Sequence, residues 1–230
     1  MSTGKRPRIK SWTRMWQRRG FGVHSPYAYR LITEVLRETA RFYAYDEIQN
    51  ILKNSSSQTA DYKVKKKRGR LLFRIVNRYQ PQQILEIGSS GGITTLYMQR
   101  ACSRAAITIL EPRPSRVENT RQWLAERKCV ADVVGIETWK EGIKAYLQKT
   151  DRPFILVNHM QPYMYEGLSE ALQEALHPYA VVIVADIGYK TPRRLWCSLI
   201  SDARVRVSMD MKHSGLLLCN PKLNKQNYYI

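Results

Sequence analysis

The stretch Gln83-Ile84-Leu85-Glu86-Ile87-Gly88-Ser89-Ser90-Gly91-Gly92-Ile93-Thr94-Thr95-Leu96-Tyr97-Met98 decides the fold. An apolar run ending at Ile87 meets a glycine-rich turn, and a helix-compatible segment follows at once. That is the strand, tight turn and helix opening of a nucleotide-binding α/β unit. Glycines at 88, 91 and 92 let backbone N–H groups and the positive end of the helix approach a ligand that a Cβ would hold off. A dinucleotide fingerprint needs a second glycine two positions after Gly88; Ser90 stands there, so that pattern fails.

What remains is an acidic residue, a hydrophobic one, Gly88, three residues and Gly92. This resembles the first motif of class I S-adenosylmethionine-dependent methyltransferases. The resemblance implies a Rossmann-like α/β fold with a seven-stranded, mostly parallel sheet closed by a C-terminal antiparallel hairpin. It also implies S-adenosyl-L-methionine as cofactor, with Glu86, Gly88, Ser89 and Gly92 at its amino acid end. A structural βα turn in another doubly wound protein is the alternative reading of the same stretch.

The alternation of strand and helix continues down the chain. Residues 105–110 read as a buried strand ending at Glu111, close to twenty residues after Gly88, where a carboxylate can accept hydrogen bonds from a ribose diol. Residues 113–128 read as a helix, 131–135 as a third strand, and a helix follows through Leu147. In the methyltransferases this chain resembles, the turn after the third strand faces the adenine, which implies Ile136 against its face and Glu137 near its amino group. Glu137 equally suits an ordinary first-turn helix acid. Residues 153–157 and 180–185 are nearly all apolar, as central parallel strands are. Residues 203–209 and 213–219 are joined by a short link and suit an antiparallel pair. The tail, Tyr228-Tyr229-Ile230, gives no signal.

Reactive groups belong at the carboxyl ends of the strands, which places Asn158, His159, Asp186 and Tyr189 around a substrate. His159 and Asp186 are the candidate bases, and Tyr163, Tyr165 and Tyr189 could line an aromatic pocket. The core is also similar to catechol- and caffeoyl-CoA-type O-methyltransferases, whose fourth and fifth strands end in carboxylates that hold a divalent cation. Here those positions carry Asn158 and the pair Ala185-Asp186. Hard cations prefer several carboxylate oxygens, so no tightly bound metal is expected.

The chain has 230 residues, enough for one α/β domain (68–230) behind a basic N-terminal extension (1–67) holding a helix and a mobile loop at 54–59. Ser25-Pro26 suits a helix N-cap and first position, and Leu31, Ile32, Val35 and Leu36 give that helix an apolar face. The Gly22-Val23-His24-Ser25-Pro26 run resembles the N-terminus of a group of methyltransferase-like proteins from Bacteroidetes, which would set His24 at the border of the site. Trp12, Met15 and Trp16 could form one docking turn. Four scattered cysteines with no metal or redox spacing suit a reducing compartment, and no run is long and apolar enough for a membrane span or a signal peptide, so a cytoplasmic protein is expected. A homodimer is open.

The net charge of +19 would attract nucleic acid, anionic lipid or acidic metabolites. Its clearest clusters are Lys5, Arg6, Arg8, Lys10, Arg14, Arg18 and Arg19, and Lys63, Lys65, Lys66, Lys67, Arg68 and Arg70. Solvated surface is the plainer reading of both. The leading expectation is methyl transfer to an unidentified acceptor without metal. Its rivals are a catalytically inactive scaffold of the same fold and an RNA-modifying methyltransferase using the basic clusters.

Overall fold

The computed structural model describes residues 15–17, 19–54 and 64–230. Trp12, the basic cluster before Met15, Arg18, Tyr62, Lys63 and the loop from Ser55 to Thr59 lie outside the described residues. No described helix is long and apolar enough to cross a membrane.

Eight strands form one sheet: β1 (Gln83–Ile87), β2 (Ala106–Glu111), β3 (Asp132–Gly135), β4 (Phe154–Val157), β5 (Val181–Ala185), β6 (Val207–Asp210), β7 (Ser214–Leu218) and β8 (Gln226–Tyr229), in the order β3-β2-β1-β4-β5-β7-β6-β8. Strands β1 to β5 run parallel, and β7 lies antiparallel between β5 and β6. The strand order reverses between β1 and β4, and such a switch point opens a crevice at the strands' carboxyl ends.

Alternation along the strands builds two cores. Ile84, Leu156 and Ile183 face one side, under α3 (Lys66–Tyr79), α4 (Ile93–Ala101) and α5 (Pro114–Glu126). Leu85, Ile87, Ile155, Val157, Val182 and Val184 face the other, under α6 (Trp139–Leu147), α7 (Leu168–Glu174) and α8 (Lys190–Ser201). Both faces of the central strands are therefore apolar, which explains their unbroken hydrophobic sequence.

The N-terminal helix α1 (Pro26–Arg30) starts as its sequence predicts: the Ser25 side chain accepts from the Ala28 N–H at 3.3 Å and Pro26 takes the first turn. It continues as a π-helical turn, Leu31–Leu36, whose apolar side chains join the same core as α3. Two features depart from the sequence reading. Residues 43–53, for which the sequence reading assigned no element, form α2 (Tyr43–Lys53), which buries Tyr45 and Ile48 one helical turn apart. Phe42 and Tyr45 each stack against Phe73 with ring centroids 5.1 Å apart. The silent tail supplies the eighth strand. Strand β8 runs parallel to β6, buries Tyr228, and has the outward N–H of Tyr229 bonded to Gln17 Oε1 at 2.8 Å. That contact closes one backbone group on an edge that would otherwise offer itself for pairing.

Gly215 of β7 supports the indole of Trp196 from α8: a Cβ there would lie 2.2 Å from its Cζ3. Trp196 is fully enclosed, so it cannot retreat without opening the core. Gly215→Ala is expected to cost about 1–3 kcal/mol, read as a lower urea midpoint with an unchanged m-value.

Candidate functional site

The turn after β1 adopts an uncommon backbone. Gly88, Ser90, Gly91 and Gly92 all have positive φ, at +80°, +38°, +61° and +84°. Glycine is needed at Gly88 and Gly92 for a second reason, close approach. A Cβ on Gly92 would lie 2.7 Å from Trp123 Cε3 of α5, and one on Gly88 would lie 2.9 Å from Met160 Cγ. The turn is thus pressed between α5 and the loop after β4, with the start of α4 directly behind it.

Beneath it lies Glu86, fully buried in the centre of β1. Thr94 Oγ1 donates to one of its oxygens and Thr95 Oγ1 to the other, the latter at 2.7 Å. Asn158 Nδ2, at the end of β4, donates to Glu86 Oε1 at 2.7 Å and to the Gly88 carbonyl at 2.7 Å. Burial pushes the Glu86 carboxyl up to about 7, against the downward pull of Thr94, Thr95 and Asn158. Glu86 does not face the cleft; it braces the turn from below.

Glu111, at the tip of β2, is also enclosed, but its balance differs. Oε2 accepts from the Ser89 N–H at 3.2 Å and Ser89 Oγ at 2.9 Å; Oε1 accepts from Arg113 Nε at 2.9 Å and the Arg113 N–H at 3.3 Å. Burial raises the carboxyl, but the hydrogen bonds and charge from Arg113 and Ser89 outweigh it and hold Glu111 below its ordinary value. The two buried glutamates are thereby pushed in opposite directions.

The far half of the crevice carries the two candidate bases. His159 Nδ1 lies 3.7 Å from Asp186 Oδ2, and the His159 ring tilts against Tyr189 with centroids 5.1 Å apart. Asp186 sits in the turn after β5 with φ of +54°, a conformation aspartate tolerates better than most residues, and Arg68 from the first turn of α3 grips its carboxylate. Tyr165 is buried, its hydroxyl bonded to the carbonyl of Asn158 and the N–H of Met160, so it props the β4 loop and does not line the cleft. Tyr163 and Tyr189 are exposed, and of the two only Tyr189 borders the cleft. Gly88, Ser89, His159 and Asp186 share one cleft. Ile136 is half-buried beyond β3, and Glu137 and His24 are exposed; none of the three lines that cleft. Among the described residues no three His, Cys, Asp or Glu side chains gather as a metal set.

Sequence reasoning missed Arg68, Arg113 and the bracing role of Thr94, Thr95 and Asn158. Arg113 carried a faint signal, two residues beyond Glu111. Arg68 carried none, being 118 residues from its partner and one cation among many.

Glu86 makes stability depend on pH. Its folded carboxyl titrates near 7 and its unfolded one near 4.5, so the native state binds the extra proton between those values. The stabilisation is complete below about pH 4.5 and lost as pH rises toward 7. Urea unfolding across that window should show this decline in the wild type and a flatter profile in Glu86→Gln.

No family model matches the sequence, and no curated protein does. Solved structures do match. The O-methyltransferase from Bacillus cereus in complex with SAH is 17% identical, with a TM-score of 0.55 over 82% of this chain and 94% of that one. TomG from Streptomyces achromogenes, an O-methyltransferase involved in tomaymycin synthesis and crystallised with SAM, is 19% identical, with a TM-score of 0.57 over 82% and 95%. The SAH-bound methyltransferase PaMTH1 from Podospora anserina is 14% identical, with a TM-score of 0.58 over 86% and 97%. At such identities the likeness is one of fold, and the fold is the Rossmann-like one of these methyltransferases.

Proposed function

We propose that the chain is an S-adenosylmethionine-dependent methyltransferase. The observation that carries the reading is the bond between Ser89 and Glu111, which locks the glycine turn of β1 to a charged carboxylate at the tip of β2. A side-chain-poor turn beside a carboxylate suits a nucleoside with an amino acid arm: the arm against Gly88, Ser89 and Gly92, the ribose diol at Glu111. Arg113 would yield Glu111 Oε1 to a diol hydroxyl, and Ile136 and Glu137 would border the adenine if that base reaches past β3. Four unpaired cysteines accord with a cytoplasmic setting.

Bound S-adenosylmethionine supplies an activated methyl on a sulfonium, which leaves as a neutral thioether. The chain's own work is to align the acceptor and remove its proton. Arg68 pins Asp186, Asp186 faces Nδ1 of His159, and Nε2 of His159 is then the atom that takes the acceptor's proton. The reading is metal-independent because Asn158, at the strand end where the related enzymes place a carboxylate, turns its amide N–H groups inward to Glu86 and Gly88.

Calorimetry with S-adenosylmethionine and its demethylated product tests this directly. Both should bind the wild type, and Glu111→Ala should weaken both by about tenfold or more, the worth of a hydrogen bond to a charged group. If neither ligand binds the wild type, the reading fails. On any acceptor the wild type methylates, His159→Asn should lower turnover about 100-fold or more while leaving product binding unchanged. Binding without turnover on any acceptor class would make the chain a scaffold.

A further inference from the structure

The cleft is large, about 1860 Å³, and its charge is lopsided: among the described residues eleven lysine and arginine side chains line it against three side-chain carboxylates. All three carboxylates are committed. Asp46 is paired with Arg41 at 3.0 Å, Asp186 with Arg68, and Glu38 accepts from the Ala40 N–H at 2.6 Å. Of the other cations, Arg113 is held by Glu111, Arg74 by the carbonyls of Val35 and Leu36 at 2.8 and 3.0 Å, and Arg70 lies over the Tyr45 ring at 4.7 Å. Arg37, Lys65, Lys66 and Lys67 remain exposed on the cleft, with no ion pair among the described residues.

We propose that the acceptor side of this cleft is a phosphate site, so that the molecule methylated carries phosphate groups; this rests on the methyltransferase reading. Like charges gathered in a concave surface repel one another and focus a positive field into the space above His159 and Asp186. A carboxylate ligand would offset one of four such cations. A phosphate carries up to about two charges and presents several acceptor oxygens, so a polyphosphate or a run of phosphodiesters neutralises the group. The span agrees. From Arg113 at the tip of β2 to Lys212 in the β6–β7 turn the cleft crosses four to five strand spacings, roughly 20 Å, more than one phosphate fills. The donor adds a second reason: its sulfonium is a cation for which this cleft holds no spare carboxylate, and an anionic acceptor supplies the missing counter-charge.

The full chain is titrated with inorganic tripolyphosphate and, separately, with a fluorescent 12-nucleotide single-stranded RNA. Two variants carry equal charge loss: K65Q/K66Q/K67Q within the cleft and K140Q/K144Q/K149Q on α6 and just beyond it, outside the cleft. Tripolyphosphate should bind the wild type, lose about tenfold or more in the first variant, and change less than about twofold in the second. It should also tighten S-adenosylmethionine binding roughly fivefold over its effect on the product, which lacks the sulfonium charge, a coupling of ordinary size. An RNA strand as the source predicts RNA binding whose log-affinity slope against log salt falls by about 2 in the cleft variant. A small phosphorylated acceptor predicts the tripolyphosphate effects alone. Equal losses in both variants, or no binding of either probe, overturn the proposal. Absence of nucleoside binding overturns the methyltransferase reading and leaves the tripolyphosphate comparison readable.

Discussion

The side-chain amide of Asn158 ties three separate pieces of chain into one object. Its Nδ2 reaches the Glu86 carboxylate in β1 and the Gly88 carbonyl in the turn, while its own backbone N–H completes the β1–β4 ladder through the Ile87 carbonyl at 2.9 Å. A carboxyl buried as deeply as Glu86 is unfavourable unless its oxygens are bonded, and here the donors are the two threonines opening α4 and this amide. Strand, turn and helix therefore stand or fall together. The shape of the glycine turn follows from satisfying one buried carboxyl.

The second carboxylate shows why exposure matters less than partners. Glu86 and Glu111 both lack solvent exposure, but Glu86 lies deeper and only Glu111 has a guanidinium beside it, so burial wins at the first and the Arg113 and Ser89 partners at the second. Glu111 is held in its ionised form by Arg113 and Ser89. In the proposed reading a ligand that replaced Arg113 would have to match a charge-assisted bond, which favours a cis diol over a single hydroxyl. The Ser89 bonds need not break, so the turn keeps its shape while the other oxygen changes partner.

How far the sequence could be read follows the range of the interactions. The glycine turn, the alternating strands and the Ser25-Pro26 helix start are local, and each was legible because a few neighbouring residues determine it. Strand β8 was not, since its partner strand and its Gln17 cap lie elsewhere in the chain. Helix α2 was hidden by polar residues around a narrow apolar stripe of Tyr45 and Ile48, whose meaning depends on Phe73 being opposite. At the site the same rule holds. Glu111 and the His159 and Asp186 positions followed from strand ends, whereas Arg68 became visible only when α3 was folded against β5.

That position of Arg68 ties the N-terminal segment to the Asp186 end of the cleft. Helix α3 carries the basic wall of the cleft, and its placement is set from the side away from the sheet: Arg74 bonds to the carbonyls closing the π-helical turn, and Tyr27 and Tyr79 share a hydroxyl–hydroxyl contact at 2.8 Å. The π-helical turn widens the helix where Leu31, Ile32, Val35 and Leu36 must all reach the core, so its last carbonyls are left for an outside donor, and Arg74 is that donor. Arg74 and Arg68 lie on this one helix, which therefore bonds to the N-terminal segment at one point and to Asp186 at another. The segment ahead of the sheet thus shapes the Asp186 end of the cleft, while the sheet itself shapes the glycine-turn end. Under the methyltransferase reading proposed above, the glycine-turn end would stay fixed while the other end changed with the chain that precedes the first strand.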